Sequence, residues 1–259
     1  MRYINACIIA FAMYSKIPMP RADWKKENMK YVMCFFPWVG AIIGACFYLW
    51  GHFAGQIPVG KTLYAVVLTL IPVVITGGIH LDGLLDTADA LSSYQPRERR
   101  LEILKDSHAG AFAIIVCCMY FLAYFGFASE LFLTAEFHRK GLEVAAAGFF
   151  LSRCLSGFAV TAFPCAKGSG LVATFANGAD RKRAGIILLI EGILGAFFLL
   201  WLSIPLGAAA IVAAMLTFLW YHHMSVEKFG GITGDLAGCF LQVCELMILI
   251  AVVVTEKLI

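Results

Sequence analysis

AGIILLIEGILGAFFLLWLS, residues 184–203, carries a single charged side chain, Glu191. As a helix this run is long enough to cross the roughly 30 Å hydrocarbon layer of a bilayer, where every backbone polar group must be satisfied within the segment. Six further apolar stretches, near 33–54, 62–78, 111–133, 142–163, 206–221 and 236–254, extend the pattern along the chain. The composition agrees: 61% of the 259 residues are hydrophobic and 14% charged, against about 45–50% and 25% in soluble domains. A mean hydropathy of +0.83 excludes a disordered chain as well as an ordinary soluble enzyme. The expected fold is therefore all-α, a polytopic membrane bundle of about seven spans forming one domain over residues 1–259. Residues 206–221 are short for a span, and Ser203-Ile204-Pro205 before them reads equally well as the tip of a hairpin inside the bilayer. The first helix, with INACIIAFAMY at 4–14, is expected at the interface. The nine cysteines show no CxxC or Cys/His ligand spacing and read as small packing residues.

Orientation follows from charge. In a seven-span arrangement fifteen of the 20 Lys and Arg fall on one side; Lys61, Arg139, Lys140 and Lys257 fall on the other, and Arg153 lies within a span. Basic residues accumulate on the cytoplasmic side, so the N-terminus and the loops 79–110, 164–183 and 222–235 are expected in the cytosol, the protein lying in the cytoplasmic membrane. Those loops hold nearly all the unusual polar motifs, although charge alone oriented them.

The most specific motif is GGIHLDGLLDTADAL, residues 77–91. If it is helical, Asp82, Asp86 and Asp89 stand at i, i+4 and i+7 and fall within about 60° of one another. Like charges so placed repel each other, and a hard cation such as hydrated Mg2+, with positions left open for phosphate oxygens, is their natural partner. A solvated helix with Asp82 as its N-cap is the plainer alternative. In LEILKDSHAG, 101–110, Lys105 and His108 could meet phosphate oxygens, and Asp106 could be a ligand or a base. Arg97 to Arg100 read first as an interfacial anchor. Phe229-Gly230-Gly231-Ile232-Thr233-Gly234-Asp235 is glycine-rich and leads into the last span, a setting that suits an anion or an ordinary cap. Within spans, Arg153, Glu191 and Glu245 need partners. Arg153 can pair with Glu245 or with a substrate phosphate, and Glu191 with a neighbouring helix.

These motifs resemble the cobalamin synthases, also called adenosylcobinamide-GDP ribazoletransferases. The likeness rests on GGIHLDGLLDTADAL, LEILKDSHAGAFA at 101–113, LSR at 151–153, GSGLVATF at 168–175 and GGITGD at 230–235, supported by SKIPMP at 15–20 and FPWVGAIIGA at 36–45. Two positions depart from it: His108 stands where Arg is usual, and Ala90 where Gly is common. The resemblance implies a Mg2+-dependent membrane transferase of late corrinoid assembly that joins adenosylcobinamide-GDP to alpha-ribazole or its 5'-phosphate and releases GMP. It implies catalytic roles for Asp82, Asp86, Asp89, Asp106 and Asp235, the first three also binding metal. Substrate contacts are implied for His80, Lys105, Ser107, Arg153, Gly231, Thr233, Gly234 and Glu245. The implied partners are the two substrates and the lipid bilayer, with no nucleic acid; a homo-oligomer is compatible. The rivals are another transferase acting on a diphosphate, of the prenyltransferase or CDP-alcohol phosphotransferase type, and a transporter using Arg153, Glu191 and Glu245 as an ion path.

Overall fold

The computed structural model describes residues 2–54, 56–106, 108–132, 139–166 and 180–259. Among them run ten helices of seven residues or more: α1 (Arg2–Tyr14), α2 (Phe36–Ala54), α3 (Lys61–Thr76), α4 (Ile79–Ser92), α5 (Arg97–Ile103), α6 (Ala111–Glu130), α7 (Arg139–Ala162), α8 (Arg181–Leu202), α9 (Ile204–Met224) and α10 (Gly234–Leu258). A single bridge between Cys165 and Ile232 is the only β-type pairing among the described residues.

Six elements are long and apolar enough to cross a membrane: α2 with its preceding turn, α6, α7, α8, α9 extended to Phe229, and α10. The bent pair of α3 and α4, which breaks after Thr76 at an angle of 93°, brings the number to seven where it counts as one crossing. All seven expected apolar stretches are helical. Residues 204–224 form a full-length helix, not a short hairpin tip. Pro205 sits in the first turn, where its missing N–H costs nothing. A tight joint at Ser203, with Gly207 packed on the Leu199 carbonyl, returns the chain from α8 to α9.

Backbone-to-backbone packing holds the bundle. Gly40 and Gly44, one turn apart on α2, sit directly on the α7 carbonyls of Phe149 and Ala146, and an added Cβ at either glycine would lie 2.2 Å from the oxygen. Lipid tails are as apolar as leucine, so close approach through small residues, not hydrophobic expulsion, drives such contacts. All nine cysteines are free thiols, in keeping with a packing role.

The ends of the helices sort onto two faces. On one, Glu130 at the end of α6 accepts from Lys61 at the start of α3 (3.0 Å) and from Lys257 at the end of α10. The other face gathers the end of α3, the starts of α6 and α10, and the end of α7 stapled to Ile232. The break between α3 and α4 lies on that second face. Gly77 (φ +66°) and Gly78 (φ +80°) are both left-handed. The Gly78 amide reaches the Val73 carbonyl (3.0 Å) and the Gly77 amide that of Val74 (3.3 Å), a Schellman termination that only glycine adopts without strain. The chain turns a right angle there, and α4 runs along the membrane face.

Candidate active site

Helix α4 is laid across the first turn of α10 at two glycines. An added Cβ at Gly83 would lie 2.5 Å from the Asp235 carbonyl oxygen, and one at Gly238 would lie 3.0 Å from that of His80. This crossing brings Asp235 to the aspartate stripe, as a common position on one face of the protein suggested. Burial raises the Asp86 carboxyl to a pKa of about 6, reinforced by the charges of Asp82, Asp235 and Asp89. Four carboxylates thus share one electrostatic neighbourhood drawn from two distant segments.

The four differ in their partners. Both oxygens of Asp89 accept backbone amides at the start of α6, from Gly110 (2.6 Å) and Ala113 (2.9 Å), which makes Asp89 a bracket for that helix N-terminus. Asp82 is exposed in the first turn of α4, and the N-cap is Gly78. The cap of α10 is Thr233, whose Oγ1 accepts from the Leu236 amide at 3.2 Å. Neither Asp82 nor Asp235 is therefore used as an N-cap. Among the described residues no three His, Cys, Asp or Glu side chains close into a self-sufficient metal cage. An open, all-oxygen set suits a hydrated Mg2+ completed by phosphate oxygens better than a metal needing a full protein shell.

The remaining expected site residues are dispersed. His80 points to the opposite side of α4, buried beside Tyr14 and Phe36, and its imidazole is held neutral by burial and the nearby Arg153, which push its pKa down to about 3. Arg153 is fully buried and pairs with Glu245 inside the bundle, also donating to the Phe149 carbonyl (3.1 Å) and to Ser152. Of the two readings for Arg153, the structure shows the pairing with Glu245, as an unpaired charge at that depth is costly, while Arg153 Nε and Nη2 and Glu245 Oε2 keep no hydrogen-bond partner among the described residues. Glu191 accepts from the Trp38 indole (3.2 Å). The three intramembrane charges thus have local partners, which argues against an ion path.

Asp106 is exposed and accepts from the His108 amide (3.0 Å) and ring (2.8 Å), hydrogen bonds that hold its carboxyl below the usual range. Lys105 is exposed. The Gly231 amide donates to the Ser225 carbonyl (2.9 Å), and the residue packs on Pro164–Ala166. Gly234 faces open space. Ser107 and GSGLVATF lie outside the described residues. Sequence reasoning missed Lys16, whose aliphatic stem lies over Gly77 at the elbow; SKIPMP was its only signal.

A cavity of about 970 Å3 lies between α2, α7 and α8, lined by residues such as Trp38, Tyr48, Phe150, Glu191 and Trp201. None of its lining residues belongs to α4, α5 or the 230–235 loop, and its walls are mainly apolar. The polar chemistry is elsewhere, on the open α4–α10 crossing.

The architecture and the site define a polytopic membrane transferase with an aspartate-lined helix at one membrane face. A family model described as cobalamin-5-phosphate synthase matches residues 6–253, and the chain belongs to that family. It is 46% identical over 259 residues to the adenosylcobinamide-GDP ribazoletransferase of Lachnoclostridium phytofermentans, covering 100% of this chain and 97% of the relative. The enzyme of that name from Desulfitobacterium hafniense is 32% identical over 93% of this chain and 94% of its own. The Clostridium perfringens enzyme is 29% identical over 94% and 95%. No solved structure matches.

Proposed function

We infer that this protein joins adenosylcobinamide-GDP to alpha-ribazole, or its 5'-phosphate, with release of GMP, at a site on the cytosolic face of the cytoplasmic membrane. The observation that carries the reading is the α4–α10 crossing, which unites Asp82 and Asp86 with Asp235 in a chain 46% identical to an enzyme named for this transfer. The ribose hydroxyl attacks the cobinamide-linked phosphorus. A new P–O bond forms, the bond to the GMP phosphate breaks, and the hydroxyl proton passes to a carboxylate. Asp82, Asp86 and Asp235 would hold Mg2+, whose contribution when bound is to neutralise the diphosphate and the departing GMP. Asp89 acts by fixing α6 against α4. Asp106, already hydrogen-bonded and held acidic, is the poorer proton acceptor, which leaves the base among the carboxylates of the α4–α10 crossing.

Two experiments bear on this reading. For Asp235→Asn, purified protein is expected to release GMP only at a raised Mg2+ concentration; a wild-type magnesium dependence removes Asp235 from the site. For orientation, Ser93→Cys in a cysteine-free background is expected to react with an impermeant maleimide only from the cytosol. Labelling from the opposite side overturns the topology.

A further inference from the structure

The connection from α4 to α5 carries two residues that neither the packing nor the carboxylate group explains. Tyr94 has φ +52° and is the only non-glycine residue with positive φ among those described. Its side chain is also 88% exposed. Tyr94 ends α4 in the left-handed conformation, a termination usually given to glycine or asparagine, so a bulky exposed side chain there carries a strain for which packing gives no return. Three residues on, Arg97 lies across Gly230. A Cβ there would fall 1.9 Å from the Arg97 Cζ and 2.1 and 2.2 Å from its terminal nitrogens. Gly230 thus provides a bare backbone seat for the guanidinium, five residues before Asp235.

The neighbouring arginines are already engaged. Arg99 pairs with Glu102 at 2.6 Å, and Arg100 donates to the Lys228 carbonyl at 3.5 Å, tying α5 to the turn that precedes Gly230. Arg97 has no hydrogen-bond or ion-pair partner among the described residues. A seated guanidinium with free N–H edges matches phosphate oxygens, and an exposed phenol ring on the same short connection offers a stacking surface for a base. A nucleoside diphosphate presents both features.

We propose that the α4–α5 connection recognises the nucleoside-diphosphate half of the substrate, with Arg97 holding the phosphate that departs with the nucleoside and Tyr94 stacking on the base. The proposal rests on the reading above that the substrate carries GDP. It differs from an interfacial anchor, which would need neither the seat on Gly230 nor the strained backbone.

The test compares Arg97→Gln, Arg97→Lys, Tyr94→Gly, Tyr94→Phe and the charge-matched control Arg99→Gln, by steady-state kinetics, product inhibition by GMP and thermal unfolding in detergent. Arg97→Gln is expected to raise the KM for adenosylcobinamide-GDP and the inhibition constant of GMP about 10- to 100-fold, with the KM for alpha-ribazole unchanged and Arg97→Lys partly restored. Tyr94→Gly is expected to weaken GMP by about 5- to 100-fold with its Tm unchanged or raised by relief of strain, a combination that a purely structural role does not give. Tyr94→Phe, which keeps the ring but not the hydroxyl, is expected to lose far less GMP affinity than Tyr94→Gly, and Arg99→Gln should behave as wild type. Unchanged GMP inhibition in both Arg97→Gln and Tyr94→Gly, in an otherwise active enzyme, overturns the proposal, as does a rise in the alpha-ribazole KM alone. If the wild-type protein releases no GMP, the functional reading itself fails. Calorimetric titration with GDP then decides whether the connection binds a nucleotide: weaker binding by the two variants supports the proposal, and no binding by the wild type rejects it too.

Discussion

Asp86→Asn and Asp82→Asn are each expected to lower GMP release by at least about 10²- to 10³-fold, the loss typical when one group that stabilises developing charge is removed, while the protein still inserts and folds. Asn is nearly the same shape, and α4 is held by the Gly83 and Gly238 contacts with α10, which neither substitution touches. Asp86 gives a second, independent readout. Its pKa is raised from an ordinary value near 3.8 to about 6 in the folded protein, so the fold binds that proton more tightly than the unfolded chain does. Stability from this group is complete below about pH 4 and is lost as pH rises through about 6. Without divalent ions, the wild-type Tm is therefore expected to fall across that window and to recover on adding Mg2+, and the Asp86→Asn variant is expected to lack this component. Near-normal turnover by both Asn variants at saturating Mg2+ would sink the assignment.

Removing one member of the Arg153–Glu245 pair is expected to be the most damaging substitution for stability. Both side chains are almost wholly inside the bundle, at 0% and 4% exposure, and Arg153 joins α7 to α10. Arg153→Met or Glu245→Leu leaves an opposite charge without its partner, at a cost of about 3–5 kcal/mol. Poor yield and a markedly lower Tm in detergent are the expected signs. The double variant Arg153→Met/Glu245→Leu should recover much of that loss, because a buried ion pair replaced as a unit by apolar groups is often neutral. A double variant as unstable as the sum of the singles would show that the two residues are not coupled. GMP release by the double variant separates the roles: retained turnover leaves the pair as architecture, consistent with its distance from solvent.

The spans were legible because nothing but helix satisfies a backbone in lipid, and apolar runs such as 184–203 and 236–254 announce themselves by length. The aspartate stripe was legible for a related reason, since 3.6-residue periodicity places Asp82, Asp86 and Asp89 together from spacing alone. What followed from tertiary contact was not. Asp89 meets the start of α6 across 21 and 24 residues, so its carboxylate read as one more metal ligand when it also brackets a helix end. Thr233 and Asp235 both suit a cap, and only the backbone geometry assigns that duty to Thr233. Arg97 belonged to a basic run that reads as an anchor in any membrane protein; its seat on Gly230 exists only once α5 is folded against the turn after α9. Pairing of Arg153 with Glu245 was one of two readings, because periodicity within a helix says nothing about which partner it meets.

That pairing also has a consequence for how the protein is made. Arg153 leaves the ribosome 92 residues ahead of Glu245, an interval on the order of 5 to 20 s at usual elongation rates. During that time the seventh helix carries a bare cation that the lipid disfavours. The helix must therefore wait in a polar setting, at the insertion machinery or near the headgroups, until the last helix arrives with its carboxylate. Full burial of the nascent bundle is tied to arrival of the last helix, and a product truncated before Glu245 leaves Arg153 without its carboxylate.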